Sequence, residues 1–279
     1  MMWSFVFSLS CTSSPAPSPQ QKQSEFLEPE SILWDRNQEV YWVSNMNGMT
    51  REKDANGFIS VVSAEGTLVK PKFISSTREH PLHSPKGMAL QGELLLVLDL
   101  DTLRVYNSNT GQHIRSELIA DSVLLNDIVI AEGDIFISDM YQDKIVRLDG
   151  SSFAIKDTMT VQRPNGLLYD QGHLWIASFS KEGMIYRLEI STQNRNEISI
   201  PYGYIDGIVK MGEKYLLSSW QYEGLLLGVP GDWAAQKEPK GMFGDISFDE
   251  KRERILIPVT KEQRLIFLSQ DMESIIHVP

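Results

Sequence analysis

The sequence lacks several features that would assign it to a class. It has one cysteine, Cys11, so no disulfide can form within the chain and an apolar core must hold the fold. No apolar run beyond residue 11 is long enough to cross a membrane. The net charge is −11, so we do not expect the basic surface that binding to nucleic acid or an anionic membrane requires.

Regular helix and the common catalytic motifs are also absent. No stretch keeps the 3.6-residue apolar period of an amphipathic helix, which predicts almost no helix. The chain shows no ordered Ser-His-Asp set, no phosphate-binding glycine loop and no metal-binding cysteine pair. What it does have is the composition of a globular protein, with 42% hydrophobic and 23% charged residues over 279 positions.

The N-terminal segment has the character of a targeting signal. Residues 1–11 form a short apolar run that ends in Cys11, and residues 12–24 form a Ser/Pro/Gln tract that we expect to be a disordered tether. This order looks like the start of a bacterial lipoprotein, which predicts acylation of Cys11 and an extracytoplasmic, periplasmic, lipid-anchored protein. The basic residues of such signals are missing, so an ordinary secretory signal or a tail with a chance cysteine remains an alternative.

One unit repeats along the rest of the chain. The stretch RPNGLLYDQGHLWIASFSKEGMIYRL, residues 163–188, contains three short apolar segments separated by glycine turns, and similar units recur five times. Equivalent positions are 39 to 41 residues apart, except that a polar insertion at 46–56 lengthens the first interval. A period of about 40 residues with four short strands is typical of a propeller blade. Residues 25–279 are therefore predicted to form an all-β, six-bladed β-propeller with four antiparallel strands per blade.

Some details within the blades are less regular. The sequence PGDWAAQKEP, where blade five needs its fourth strand, resembles a loop. Residues 25–28 are a candidate for an extra edge pairing that helps to close the ring. Four tryptophans recur at strand positions and are expected to fill the space between blades: Trp34, Trp42, Trp175 and Trp220.

The residue that opens each innermost strand is expected to point into the central channel. Those six residues are Glu30, Lys86, Asn126, Asn165, Asp206 and Asp245. Their carboxylates and amides suit calcium, or magnesium or manganese, and argue against zinc. Asn and Asp before Gly are also common turn residues, which is the alternative explanation for each one taken alone.

The ordered motifs Glu30-Ser31-Ile32-Leu33-Trp34, Asn126-Asp127, Pro164-Asn165-Gly166 and Asp206-Gly207 resemble the regucalcin and gluconolactonase family. More distantly, they are similar to paraoxonases and squid-type phosphotriesterases. The resemblance implies that Glu30, Asn165 and Asp206 coordinate one divalent cation in the channel. It also implies that Asn126 is a further ligand or a substrate contact.

The resemblance further implies that the site hydrolyses a small lactone or ester. The cation would polarise the carbonyl group, and Asp206 is the candidate to take a proton from the attacking water. We expect a monomer with a small-molecule substrate. The alternative is a non-catalytic propeller that serves as a binding or scaffold module on the cell envelope, since a fold does not determine a function.

Several positions depart from the family pattern or stand outside it. Leu124 occupies the place of an arginine that holds sugar hydroxyls in sugar-lactone members, so a more apolar ester or lactone is equally plausible. Lys86 could clamp an anionic substrate, or pair with Asp245 and close the channel, and we favour the pairing. His80 and His83 are expected near the same mouth, either as proton shuttles or as exposed loop residues.

Overall fold

The computed structural model describes residues 25–278, which form 24 β-strands and no helix. In the first three blades the strands are β1 Pro29–Asp35, β2 Val40–Asn45, β3 Phe58–Ser63, β4 Leu68–Ser75, β5 Pro85–Gln91, β6 Leu94–Asp99, β7 Thr102–Asn107, β8 His113–Leu118, β9 Leu125–Ala131, β10 Asp134–Asp139, β11 Lys144–Asp149 and β12 Ile155–Thr160. In the last three they are β13 Pro164–Asp170, β14 His173–Ser178, β15 Met184–Glu189, β16 Arg195–Ser199, β17 Ile205–Met211, β18 Lys214–Ser219, β19 Gly224–Val229, β20 Asp232–Lys240, β21 Ser247–Asp249, β22 Arg254–Val259, β23 Arg264–Ser269 and β24 Ile275–Val278.

These strands form six sheets, each made of four consecutive antiparallel strands. The first strand of each sheet contacts the first strand of the next, from β1 through β5, β9, β13 and β17 to β21, and β21 contacts β1. The six sheets therefore form a closed ring with their first strands around its axis. The predicted six-bladed propeller is confirmed.

The ring closes by direct contact between the first and last blades. Ser31 and Asp245 form a parallel bridge, and the Asp245 N–H donates to the Glu30 carbonyl at 2.8 Å. Residues 25–28 extend blade one, because the Leu27 and Glu28 carbonyls accept hydrogen bonds from residues 47 and 46. Phe26 is fully buried in the cluster between these two blades.

Apolar side chains from adjacent blades form the core. In β6, residues 95–98 are fully buried, as expected for a strand covered on both faces. Leu96 and Leu98 pack in one cluster with Ile135 and Ile137 of the next blade. Each such side chain contributes about 1.5–3 kcal/mol when it is fully buried. The outermost strands are far more exposed, and in β8 exposed and half-buried residues alternate.

The fourth strand of blade five was predicted to be a loop, and that prediction is wrong. β20 has nine residues and pairs with β19 across a two-residue turn at Pro230 and Gly231. Gly231 has the positive φ of +86° that this turn uses, so the Pro-Gly signal marks a hairpin. Pro239 is tolerated because β20 is an edge strand, and Trp233 packs against the cluster of blades four and five.

Candidate functional site

A β-bulge interrupts the innermost strand of each of the first five blades at the predicted channel residue. In blade one, Pro29 pairs with Asn45 and Ile32 pairs with Val43, so β1 has one residue more than its partner. The same shift occurs in β5, β9, β13 and β17. A bulge bends the strand and re-aims a side chain. It thereby directs Glu30 and its equivalents to the axis of the ring.

The residue after each channel residue faces the neighbouring blade, and in three blades it is glycine. A methyl group at Gly87 would lie 2.7 Å from the Asn126 carbonyl, and one at Gly207 would lie 2.6 Å from the Ile246 nitrogen. The glycines are therefore required by the close approach of adjacent inner strands. The alternative that Asn165 and Asp206 are turn residues is wrong, because both lie within strands.

In three blades, a serine hydroxyl on the second strand accepts a hydrogen bond from a backbone N–H group that the bulge leaves unpaired. These hydrogen bonds run from Ser31 to Ser44 at 3.0 Å, from Asp127 to Ser138 at 2.9 Å, and from Gly207 to Ser218 at 2.7 Å. Since buried N–H groups need partners, the serines hold the bulged backbone in place.

Five of the six predicted residues meet in a cavity of about 250 Å³ at the axis. They are Glu30, Lys86, Asn126, Asn165 and Asp206. The sixth, Asp245, is half-buried and does not line this cavity; its carboxylate accepts a hydrogen bond of 2.8 Å from the Ser31 hydroxyl. Convergence around the ring is thus observed for the four predicted metal ligands and for Lys86.

Each of the four predicted ligands has a buried oxygen without a hydrogen-bond partner among the described residues. These atoms are Glu30 Oε2, Asn126 Oδ1, Asn165 Oδ1 and Asp206 Oδ1. Buried polar atoms in native proteins are almost always paired, and an unpaired one calls for an explanation such as an ion. Carboxylate and amide oxygens are the ligand types that Ca²⁺ takes, so this set fits a hard divalent cation.

The donor set contains two carboxylates and two amides. Among residues 25–278, no group of three or more His, Cys, Asp or Glu side chains lies close enough to hold a metal ion. A site rich in histidine or thiolate, as zinc prefers, is therefore not found in this part of the chain.

Lys86 is almost completely buried beside these oxygens. Its ammonium donates to Thr50 Oγ1 at 2.8 Å and to Met46 Sδ at 3.1 Å, and lies 3.8 Å from Glu30 Oε1. The pairing of Lys86 with Asp245 that we favoured is wrong, since its acidic partner is Glu30. Residues 46 and 50 belong to the polar insertion between β2 and β3, which therefore reaches the site.

Burial raises the pKa of every carboxyl group around the axis. The pKa of Glu30 is raised by desolvation, against an opposing effect of the Lys86 charge. That of Asp206 is raised well above its usual value by burial and by the charge of Glu30. Burial also raises the pKa of Asp127 to about 7, although the Leu167 and Ile128 N–H groups bond to its carboxylate. These carboxyls hold negative charge only at a cost that a bound cation would offset.

Apolar side chains line most of the remaining cavity wall. They are Met46, Leu124, Met140, Tyr141, Phe179 and Trp220. Phe179 and Trp220 meet edge to face with ring centroids 5.4 Å apart, and Trp220 Nε1 donates to the Phe243 carbonyl at 2.7 Å. Leu124, at the place of the family's arginine, is buried against Leu100 and Met140. The wall offers a polyol few hydrogen-bond partners.

The tryptophans divide into two groups. Trp34, Trp42 and Trp175 are buried in the clusters between blades, as predicted. Trp220 follows the end of β18 and lines the cavity, so its prediction as an inter-blade residue is wrong.

The two candidate histidines do not line the cavity. His83 Nδ1 accepts the Ala55 N–H at 3.0 Å, and His80 stacks on His113 of the outermost strand β8 with ring centroids 3.8 Å apart. Both are occupied in packing the loops of blades one and two, and the geometry gives no support to a proton shuttle.

The predictions for residues 1–24, namely the signal-like segment, the acylated Cys11 and the tether, lie outside the described residues. Within residues 25–278, no helix has the length and apolar character to cross a bilayer.

The fold and the axial cavity place the chain in the class of six-bladed β-propellers. No protein-family model matches the sequence, and no curated protein is significantly similar to it. The resemblance to the regucalcin and gluconolactonase family therefore has support at the level of the fold alone.

Solved structures share that fold at low sequence identity. A chain of a nidogen/laminin complex matches with a TM-score of 0.67 and 14% identity, covering 79% of this chain and 89% of its own. Virginiamycin B lyase from Staphylococcus aureus, also a propeller, matches with a TM-score of 0.63 and 14% identity over 93% and 85%. The computationally designed Ika8 protein matches with a TM-score of 0.54 and 7% identity over 89% and 73%.

Proposed function

We propose that this protein is a divalent-cation-dependent hydrolase of a small lactone or ester, as the resemblance to gluconolactonase-type enzymes implies. The observation that carries the proposal is the set of four unpaired, buried oxygens of Glu30, Asn126, Asn165 and Asp206 in one cavity. Oxygen ligands of this kind favour Ca²⁺, with Mg²⁺ or Mn²⁺ as the other candidates.

The site's own residues have distinct roles in that reaction. A cation held by the four oxygens would supply Lewis-acid polarisation of the substrate carbonyl. Asp206, whose pKa burial raises well above its usual value, accepts a proton from the water that attacks the acyl carbon. The acyl C–O bond then breaks, and the proton passes from Asp206 to the departing oxygen, giving a hydroxy acid from a lactone, or an acid and an alcohol from an ester.

The walls select the substrate. Leu124, Phe179 and Trp220 present apolar surface where a sugar lactone would need hydrogen bonds. An ester or lactone with an apolar or aromatic body therefore fits better than a polyol lactone. The cavity of about 250 Å³ suits a small molecule.

Calcium binding and turnover test the proposal together. The full chain should bind one Ca²⁺ by isothermal titration calorimetry, gain thermal stability, and hydrolyse members of a panel of aryl acetates and aliphatic lactones faster than gluconolactone. Glu30→Gln and Asp206→Asn should abolish both binding and turnover. Asp170→Asn is the matched control, because Asp170 is at the opposite end of β13 and pairs with Lys210. A chain without stoichiometric calcium and without turnover refutes the proposal.

The second candidate function is a non-catalytic binding module. One observation favours it: the Lys86 ammonium already lies 3.8 Å from Glu30, so part of the negative charge is balanced without an ion. Under this alternative the cavity binds a small molecule and leaves it unchanged. The same titrations separate the two functions, since a module would bind panel members without converting them.

A further inference from the structure

The mouth of the cavity carries two arginines that stack on the same tyrosine. Arg51 of the insertion loop and Arg163, just before β13, place their guanidinium carbons 5.0 Å and 4.5 Å from the centroid of the Tyr141 ring. Tyr141 lines the cavity and is 41% exposed, so it connects the interior with solvent. Both guanidinium groups are therefore held close to the route by which a ligand reaches the axis.

Neither guanidinium forms an ion pair or a hydrogen bond with any residue in the range 25–278. Two acidic residues lie nearby, but each has another partner. Asp101 pairs with Lys53 at 2.8 Å, and Asp143 accepts the backbone N–H of Arg163 at 2.8 Å. The donors of both guanidinium groups are therefore available to an anionic ligand, and stacking on one ring holds the two groups side by side.

An anion bound at the mouth would explain this arrangement. Arginine presents a planar set of donors that matches the oxygens of carboxylates and phosphates, and stacking on an aromatic ring fixes its orientation. The deeper end of the cavity carries Glu30 and Asp206, which would repel a second negative group there. The anionic end of a ligand is therefore favoured at Tyr141 and its apolar end farther inside.

We infer that the substrate carries an anionic group, a carboxylate or a phosphate, which Arg51 and Arg163 bind at the mouth while its apolar part contacts Phe179 and Trp220. The inference deepens the proposed function by naming a substrate class, and it relies on that function only for the hydrolysis of the ligand. The binding of an anion at the mouth can be measured without turnover.

Binding experiments use benzoate, phenyl phosphate and neutral benzamide as probes with the calcium-loaded full chain. Charge-assisted hydrogen bonds predict that benzoate or phenyl phosphate binds roughly tenfold more tightly than benzamide. The double variant Arg51→Gln/Arg163→Gln should lose that preference. Whichever of benzoate and phenyl phosphate loses more affinity in the double variant shows whether the site binds a carboxylate or a phosphate. The control Arg36→Gln/Lys251→Gln also removes two positive charges, at the β1–β2 and β21–β22 turns, and should leave all three affinities unchanged.

Kinetics use 4-acetoxybenzoate and the neutral 4-acetoxybenzamide. The double variant should raise KM for the anionic ester roughly tenfold, with little change in kcat, and should leave both constants for the neutral ester unchanged. Thermal unfolding of the double variant confirms that it is folded, since both side chains lie at the surface or only partly buried.

The outcomes for this inference and for the proposed function differ. Arginine-dependent binding of an anion by a chain that hydrolyses no ester supports the inference and refutes the hydrolase. Calcium-dependent hydrolysis with equal KM for the two esters, or with a KM that the double variant does not change, supports the hydrolase and overturns the inference. Equal affinity for benzoate, phenyl phosphate and benzamide, or the absence of binding by all three, also overturns it.

Discussion

The ammonium nitrogen of Lys86 lies 3.8 Å from Glu30 Oε1, and both side chains are almost completely buried. The positive charge of Lys86 therefore lies beside the four unpaired oxygens and partly balances their negative charge. It stabilises the carboxylate form of Glu30, and it also opposes the binding of a second cation at the same oxygens. Removal of the Lys86 charge should therefore destabilise the Glu30 carboxylate but strengthen the binding of a cation.

Lys86→Met should increase the affinity of the site for Ca²⁺ roughly tenfold or more, because the repulsion between the ammonium and the cation disappears. Isothermal titration calorimetry at constant pH and salt measures this change. Lys210→Met is the matched control, since Lys210 pairs with Asp170 away from the cavity. An unchanged dissociation constant in Lys86→Met would place the cation far from Lys86.

In the presence of a chelator, Asp206→Asn should stabilise the protein by about 1 kcal/mol at pH 8, because it removes a poorly compensated buried charge. The same variant should no longer be stabilised by Ca²⁺. Chemical denaturation with and without Ca²⁺ measures both effects. Such a trade-off between stability and function is expected of a binding site.

Asp99→Asn is the contrasting variant in that experiment. Asp99 is also buried, but its carboxylate accepts hydrogen bonds from the N–H groups of His83 and Ser84 and from Arg104. Loss of that charge should destabilise the protein by about 2–3 kcal/mol. If Asp206→Asn is destabilising to a similar extent in chelator, Asp206 is a structural residue.

The stability of the chelated protein should fall as the pH rises from about 4 to 8. The pKa values of Glu30, Asp206 and Asp245 are raised in the folded protein, and that of Asp127 is raised to about 7. In this window the folded state retains protons that the unfolded state has lost, so the free energy of unfolding decreases with pH. Urea denaturation at a series of pH values in chelator measures the decrease.

Saturating Ca²⁺ should abolish most of that pH dependence, because the cation replaces the protons as the partner of the carboxylates. The variant Glu30→Gln/Asp206→Asn should show a weaker dependence in chelator and no effect of Ca²⁺. A stability that rises with pH in the chelated wild-type protein would contradict the raised pKa values.

The positions of the channel residues could be predicted from the sequence because they depend on local features that repeat. Each follows a turn and opens an apolar strand, and a ring of such strands places their first residues at the axis. The serines Ser44, Ser138 and Ser218, which bond to the bulged backbone, are a second signal at equivalent positions. That signal would have indicated a bulge at these positions.

The remaining features depend on contacts between distant segments. Met46 and Thr50 reach the cavity because the insertion folds back over blade two, and nothing in its polar sequence indicates that direction. Asp245 stands at the position equivalent to Glu30 but two residues before β21, and only Glu30 lines the cavity; the Asp245 carboxylate instead accepts a hydrogen bond from the Ser31 hydroxyl. Similarly, Trp220 lines the cavity whereas Trp175 packs between blades, because Trp220 lies one residue beyond the end of β18 and Trp175 lies within β14.

Gly207→Ala tests whether close contact between inner strands positions the site. The added methyl group would lie 2.6 Å from the backbone nitrogen of Ile246, which cannot move without shifting blade six. We expect a loss of about 3 kcal/mol in the free energy of unfolding, at the upper end of the usual cost of overpacking. Weaker Ca²⁺ binding should accompany it, because the shift displaces the adjacent Asp206. Gly133→Asn is the control, since Gly133 has a φ of +83° that asparagine tolerates and open space around it. A Gly207→Ala variant with wild-type stability and calcium affinity would show that the inner strands can separate without disturbing the axial oxygens.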